Sequence, residues 1–260
     1  MKIASWNVNS LKVRLEQVTD WLEHTGTDVL GLQETKLVDA KFPVDALREA
    51  GYEVIFSGQP TYNGVALIYK KSLADTESLD PVLAIPDFED EQKRAIAATI
   101  NHVRVINLYV VNGQEVGSEK FDYKLRWFEA MTAWVKDELS RNDQVVVMGD
   151  FNIAPDDQDV YDPEAWHEKI LCSTPERDAL KGLLDLGLHD SFRLFDQPEE
   201  IWSWWDYRAA MFRRGLGLRI DLVLCSDALK EKCTTSYIDK EPRKNERPSD
   251  HAPAVAEFKL

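Results

Sequence analysis

The chain has 260 residues, 44% of them hydrophobic and 10% aromatic, with 12 glycines and 11 prolines; this excludes a disordered, collagen-like or low-complexity polymer and allows a sizeable buried core. Its formal net charge of −15 is awkward for a polyanionic partner, because phosphate binding ordinarily leaves a basic footprint. Basic residues gather only locally, at Lys93-Arg94, Arg208, Arg213-Arg214, Arg219 and Arg243-Lys244, so composition leaves open both a scattered solvated surface and a positive face on an acidic body.

Taken in chain order, short apolar runs rich in β-branched residues predict strands at residues 3–8, 29–32, 65–69, 96–100, 103–110, 145–148, 220–224 and 254–258. Helical stripes lie between them. Leu11, Leu15, Val18 and Leu22 share one face, as do Phe121, Leu125, Phe128, Val135 and Leu139, and Pro175 after Ser173-Thr174 reads as a capped helix start. Two strands follow each other across Asn101-His102 with no helix between, which implies antiparallel pairing. Strands mixed with a few helices, without linker or repeat, predict one α+β domain over residues 1–260 built from two packed sheets flanked by helices. Cys172, Cys225 and Cys233 are odd in number and lack C-x-x-C spacing, which argues against a disulfide framework or a zinc site and fits a reducing cytosol. No signal-like or membrane-length apolar run occurs, so the expectation is a soluble, unexported protein.

Polar residues cluster where the strands end: Trp6-Asn7-Val8-Asn9, Gln33-Glu34, Tyr109 with Asn112, Gly149-Asp150-Phe151-Asn152, Asp221 within a strand, and Ser249-Asp250-His251. If these ends converge, one rim of the sheets carries a dense carboxylate and amide site. Glu34 reads either as a turn glutamate or as a carboxylate facing a cleft, and Asn7 either as a structural acceptor or as a hard-cation ligand; Mg²⁺ favours such oxygen donors. Asp150 and Asn152 could serve only a turn. His251 could be an ordinary loop histidine, or a general base or electrostatic group oriented by Asp221.

WNVNS (6–10), QETK (33–36), GDFN (149–152), WSWWDYR (202–208), GLRID (217–221) and SDHAP (249–253) resemble the exonuclease III branch of the endonuclease/exonuclease/phosphatase superfamily, with DWLEH, KFDYK and RPSDHAP filling the intervals. The resemblance runs from residue 1 to about 258. It implies a four-layer α/β sandwich of the DNase I-like type with its active site at one edge. It further implies a Mg²⁺-dependent phosphodiesterase of DNA repair, with Mn²⁺ able to substitute, acting in a prokaryotic cytosol as a monomer on double-stranded DNA bearing abasic sites, nicks or 3′ ends.

Carried over by position, Glu34 would be the principal metal carboxylate, with Asn7 and Asp250 as direct or water-mediated ligands. Asp150 would align or deprotonate the attacking water, Asn152 would support that water, and Asp221 would orient His251. Tyr109 and Asn112 resemble phosphate-contacting residues, Arg94 joins the substrate-binding set, and Trp204, Leu218 and Ile220 are candidates for the wall receiving a deoxyribose or terminal nucleotide. The family usually has a proline two residues after the tyrosine; Val111 stands there, and loss of the φ-locking ring could loosen the loop that places Asn112. His167, in the segment after GDFN, is expected on the DNA-facing rim, where its imidazole either obstructs an extruded abasic sugar or merely packs on Trp166 or touches a phosphate. Two rivals remain: another superfamily branch, such as a nonspecific DNase or a lipid or inositol-phosphate phosphatase, opposed by WSWWDYR and GLRID, and an inactive DNA-binding protein, opposed by the intact polar set.

Overall fold

The computed structural model describes every residue except Thr76. The expected strands form β1 (Lys2–Asn7), β2 (Val29–Gln33), β4 (Val65–Lys70), β5 (Ala95–Ile100), β6 (Val103–Tyr109), β7 (Val145–Asp150), β9 (Asp221–Ser226) and β11 (Ala254–Phe258), joined by three that the apolar pattern did not reveal: β3 (Tyr52–Ser57), β8 (Leu188–Asp190) and β10 (Cys233–Ile238). One sheet runs β10-β11-β1-β2-β4-β3 and the other β5-β6-β7-β9-β8. The three unread strands all lie at sheet edges, where one flank has no partner strand to demand an apolar run. Asn101 and His102 both take positive φ and close the β5–β6 hairpin with Ile100 opposite Val103, the two-residue turn expected there.

The helices are α1 (Leu11–Thr25), α2 (Val44–Glu49), α3 (Glu119–Arg141), α4 (Pro163–Trp166), α5 (Thr174–Leu184), α6 (Met211–Arg214) and α7 (Asp227–Lys230). Ile3, Leu67, Ile96, Val105, Met148 and Val223 fill the layer between the sheets. Leu11, Val18 and Leu22 of α1 pack on the outer face of the first sheet, and Trp127, Phe128, Met131 and Leu180 from α3 and α5 cover the outer face of the second. Helix, sheet, sheet and helix make the four layers.

A polar node ties the two sheets together in the interior. Asn107 of β6 donates its amide to the carbonyls of Leu32 and Ala66 on the opposite sheet, at 2.9 Å each, and its own oxygen accepts from Gln33 Nε2 at 2.6 Å. Gln33 Nε2 also reaches Ser5 Oγ at 3.0 Å. Gly31 leaves the space: a Cβ there would lie 2.8 Å from the Asn107 amide carbon.

Strand direction decides where the site falls. β1, β2 and β6, β7 are parallel pairs, whereas β11 is antiparallel to β1 and β9 to β7. The ends of β1, β2, β6 and β7 therefore share one edge with the beginnings of β9 and β11. Asn7, Tyr109 and Asp150 close their strands, Glu34 follows β2, Asp221 opens β9, and His251 precedes β11. Gly149 permits the last step of β7, since a Cβ there would fall 1.9 Å from the Leu108 carbonyl oxygen of the neighbouring strand.

Candidate active site

Asn7 is fully buried, and its Nδ2 donates to Glu34 Oε1 and to Asp150 Oδ2, each at 2.9 Å. Its own oxygen accepts from the Asn9 amide at 3.0 Å, and Ser249 Oγ donates to its carbonyl at 2.6 Å. One side chain thus joins carboxylates from both sheets. Asp150 Oδ1 accepts from the Asn152 N–H at 2.9 Å, so the carboxylate is held from two sides. Glu34 takes a positive φ at the sharp exit from β2, and its Oε2 lies 3.0 Å from Lys36 Nζ, which also donates to Asn9 Oδ1 at 2.5 Å.

Asp221 and His251 are both buried and share a 2.8 Å contact between Oδ2 and Nδ1, leaving Nε2 3.7 Å from Asp150 Oδ2. Burial alone would push the imidazole down, but the carboxylates of Asp221, Asp150 and Asp250 push it up to about 10. The same burial pushes Asp150 up to about 7, reinforced by Asp221 and resisted by the His251 charge and the Asn7 amide. Tyr109, half-buried beside Glu34 and Asp150, is driven well above its ordinary value by burial and by those two charges. Arg94 lies 4.6 Å over the Tyr109 ring and donates to the Tyr109 carbonyl at 3.2 Å.

Asn152, at φ 48°, donates to the Val110 carbonyl at 2.9 Å and accepts from Asn112 Nδ2 at 3.0 Å. The loops after β6 and β7 are thereby tied together, with Asn112 on the exposed side.

The expected ligand set is only partly contiguous. Glu34 and Asn7 touch, while both oxygens of Asp250 are engaged, one by Asn9 Nδ2 and one by Trp204 Nε1, each at 3.0 Å. Asp150, Asp221 and His251 bring potential ligand atoms within 4.8 Å of one another. The His251–Asp221 hydrogen bond fixes the imidazole with its Nε2 toward Asp150, an arrangement suited to holding or moving a proton. Glu34 offers the rim carboxylate that suits a hard divalent cation, its charge met here by Lys36, whereas Asn7 turns its Nδ2 toward Glu34 and its oxygen toward the Asn9 N–H.

Further out, Trp204 is half-buried and pairs with Leu218 through two backbone hydrogen bonds at 2.9 and 3.0 Å. Leu218 and Ile220 themselves have almost no exposed surface; they pack with Ala154, Val160, Leu171 and Cys172, so of the three expected wall residues only Trp204 presents a face. Trp166 leans on that same cluster, and His167 stands exposed beside it at the end of α4, with no hydrogen bond to the polar groups of the site among the described residues. Two of the locally gathered arginines are interior and cannot contribute to a positive face. Arg219 is buried between Asp159 and Asp190, at 2.7 Å from each, and Arg243 is buried 4.6 Å over the Phe212 ring. Arg208, Arg213 and Arg214 are exposed. Lys36, Asn9 and Ser203, whose hydroxyl accepts from the amides of Ile220 and Asp221 at 2.9 and 3.0 Å, carry parts of the site that residue type alone did not announce; Lys36 stands inside the QETK block and was legible only as part of it.

Residues 4–251 match the model of the endonuclease/exonuclease/phosphatase family. Exodeoxyribonuclease III of Haemophilus influenzae is 36% identical over 271 residues, covering all of both chains. Among solved structures, a 3′-phosphatase, NExo, from Neisseria bound to a product DNA hairpin is 50% identical with a TM-score of 0.96, and an AP endonuclease from Archaeoglobus fulgidus is 37% identical with a TM-score of 0.93; each comparison covers both chains completely.

Proposed function

This chain belongs to the endonuclease/exonuclease/phosphatase family, and we propose that it is a metal-dependent DNA-repair phosphodiesterase acting on double-stranded DNA by 3′-end trimming, 3′-end cleaning and/or incision at abasic sites. The observation that carries this reading is the single side chain of Asn7 holding Glu34 and Asp150 at 2.9 Å each beside a buried His251–Asp221 pair. Full-length relatives that are an exodeoxyribonuclease III and a DNA-bound 3′-phosphatase support the substrate class.

Hydrolysis of a phosphate ester needs a deprotonated water, neutralised non-bridging oxygens and help for the leaving alkoxide. Asp150, with a pKa near 7, accepts the proton of the attacking water, which Asn152 helps to hold. His251 remains protonated at neutral pH and presents Nε2–H to a phosphoryl oxygen, with Asp221 fixing the ring through Nδ1. Tyr109, Asn112 and Arg94 bind the phosphate, and Trp204, backed by Leu218 and Ile220, faces the terminal sugar. Mg²⁺, with Mn²⁺ as a substitute, would be held by Glu34 together with Asn7 and, through water, Asp250, and would supply Lewis-acid neutralisation of phosphate charge when bound. Residues 1–260 act as one domain and a monomer. Among the described residues no helix is long and apolar enough to cross a membrane.

The test is a panel of nicked, recessed, 3′-phosphate and abasic duplexes with Mg²⁺, with and without chelator. Chelator-sensitive release from 3′ ends is expected; absence of metal-dependent cleavage on every substrate overturns the reading.

A further inference from the structure

The KFDYK block brings a lysine into the interior that the proposed chemistry does not use. Lys124, in the second turn of α3, has a side chain only 1% exposed, and Glu176, in the first turn of α5, is fully buried. The two form an ion pair. Lys124 Nζ also donates to the carbonyl of Asn152 at 2.7 Å and to that of Asn112 at 3.1 Å, so its three N–H groups are all engaged. Glu176 is anchored in turn: it accepts from the Leu171 N–H at 3.1 Å, the Ser173 N–H at 3.1 Å and Ser173 Oγ at 2.6 Å, the reach-back of a capping box.

The two carbonyls belong to loops that have left strand geometry. Asn152, Gly113 and Gln114 all take positive φ. A Cβ at Gly113 would lie 3.0 Å from Lys124 Cδ, so the backbone there lies directly on the lysine stem. Val111, at the position where the family usually has a proline, contributes no φ restraint to the same loop. Burying an ion pair is expensive, and an apolar pair of similar volume would often hold a helix interface equally well. An apolar pair could not donate hydrogen bonds to two carbonyls on separate loops.

We propose that Lys124 is a positioning residue for phosphate-ester cleavage: its ammonium, anchored by Glu176, fixes the backbones of Asn112 and Asn152 and so sets how their side-chain amides meet the phosphate and the attacking water. This rests on the functional reading above. The side chains it controls already touch each other, Asn112 Nδ2 to Asn152 Oδ1 at 3.0 Å, and the Asn152 N–H holds Asp150 at 2.9 Å, so a shift of the Asn152 loop reaches that carboxylate directly and a shift of the Asn112 loop reaches it through Asn152.

The experiment compares wild type, the double variant Lys124→Met/Glu176→Gln, which removes both charges and leaves neither buried alone, and Val135→Ala, a core truncation on the same helix that serves as a stability reference. Cleavage of a 3′-phosphate duplex and the thermal midpoint are measured for each. The double variant is expected to lose about 10²-fold in kcat with little change in KM, at a midpoint no lower than that of Val135→Ala, which keeps its kcat. Wild-type kcat in the double variant overturns the proposal, as does an equal loss in Val135→Ala, which would reduce the effect to stability. Should the double variant not fold, Glu176→Gln alone carries the test, with kcat down about tenfold at unchanged KM expected and wild-type kcat overturning it. A wild type that cuts no DNA substrate overturns the functional reading, and with it this one, before any variant is needed.

Discussion

His251 Nδ1 lies 2.8 Å from Asp221 Oδ2, while the second Asp221 oxygen is buried and has no partner among the described residues. The carboxylate therefore gives its one hydrogen bond to the imidazole and, of the three carboxylates that lift His251 to about 10 despite its burial, contributes most. Asp221→Asn preserves size but removes that charge. Its alkaline limb in the kcat–pH profile should move to lower pH, and turnover at pH 8 should fall by about tenfold or more. An alkaline limb that stays in place would remove His251 from the reaction.

Stability should report the same proton. The folded chain binds it more tightly than the unfolded chain, whose histidine titrates near the ordinary 6.5. The stabilising contribution is therefore whole below about pH 6.5 and is lost as pH rises through about 10. Between pH 8 and 10 the thermal midpoint of the wild type should fall more steeply than that of the double variant Asp150→Asn/His251→Asn, in which neither member of the coupled pair titrates. His251→Asn should also lower turnover by about 10²-fold without a comparable loss of DNA affinity; a collapse of binding would make it a contact residue.

Glu34→Ala should abolish cleavage and leave the fold intact. The side chain stands at a strand exit with 19% of its surface exposed, so it contributes charge at the rim and little to the core. Circular dichroism and the thermal midpoint check the fold; turnover at millimolar Mg²⁺ checks the chemistry. Wild-type turnover would mean that the metal is held elsewhere.

His167 offers a test of substrate choice. Its exposed imidazole stands next to Trp166, on the apolar cluster that backs Trp204. An abasic sugar in a continuous strand must be extruded to reach the site, whereas a chain end needs no such movement. His167→Gly should raise abasic incision selectively and leave 3′-end trimming near its original rate. An unchanged ratio of the two activities would relegate His167 to the surface.

The apolar pattern located every strand that places a candidate site residue, because those strands are buried on both faces and read as continuous β-branched runs, as in VVVM of β7. It missed β10, whose CTTSYI alternates weakly at an edge, and β3, most of which is half-buried. The positions of Asn7, Glu34, Asp150 and His251 at strand ends followed from the same pattern, but their convergence did not: it depends on which strands run parallel, and that is fixed by contacts far apart in sequence. Lys124 was hidden for a different reason. A lysine on an otherwise amphipathic helix reads as solvent-facing, and only the buried Glu176 of another helix makes it an interior residue. Arg219 and Arg243 mislead in the same way, since a charge pattern cannot tell a DNA-facing arginine from one locked between aspartates or against an aromatic ring.

The Asn107–Gln33–Ser5 node lies one or two residues upstream of Tyr109, Glu34 and Asn7 on their respective strands. A grease-filled layer would let two sheets settle at several nearly equal offsets, each shifting the rim by a fraction of a residue. Directional bonds from Asn107 to two specific carbonyls admit one offset only. The gap between the sheets thus works as an alignment jig. A redesign that replaced these three residues with well-packed aliphatics would yield a chain that still folds and still displays every catalytic side chain, yet with its tools no longer set to a common bench.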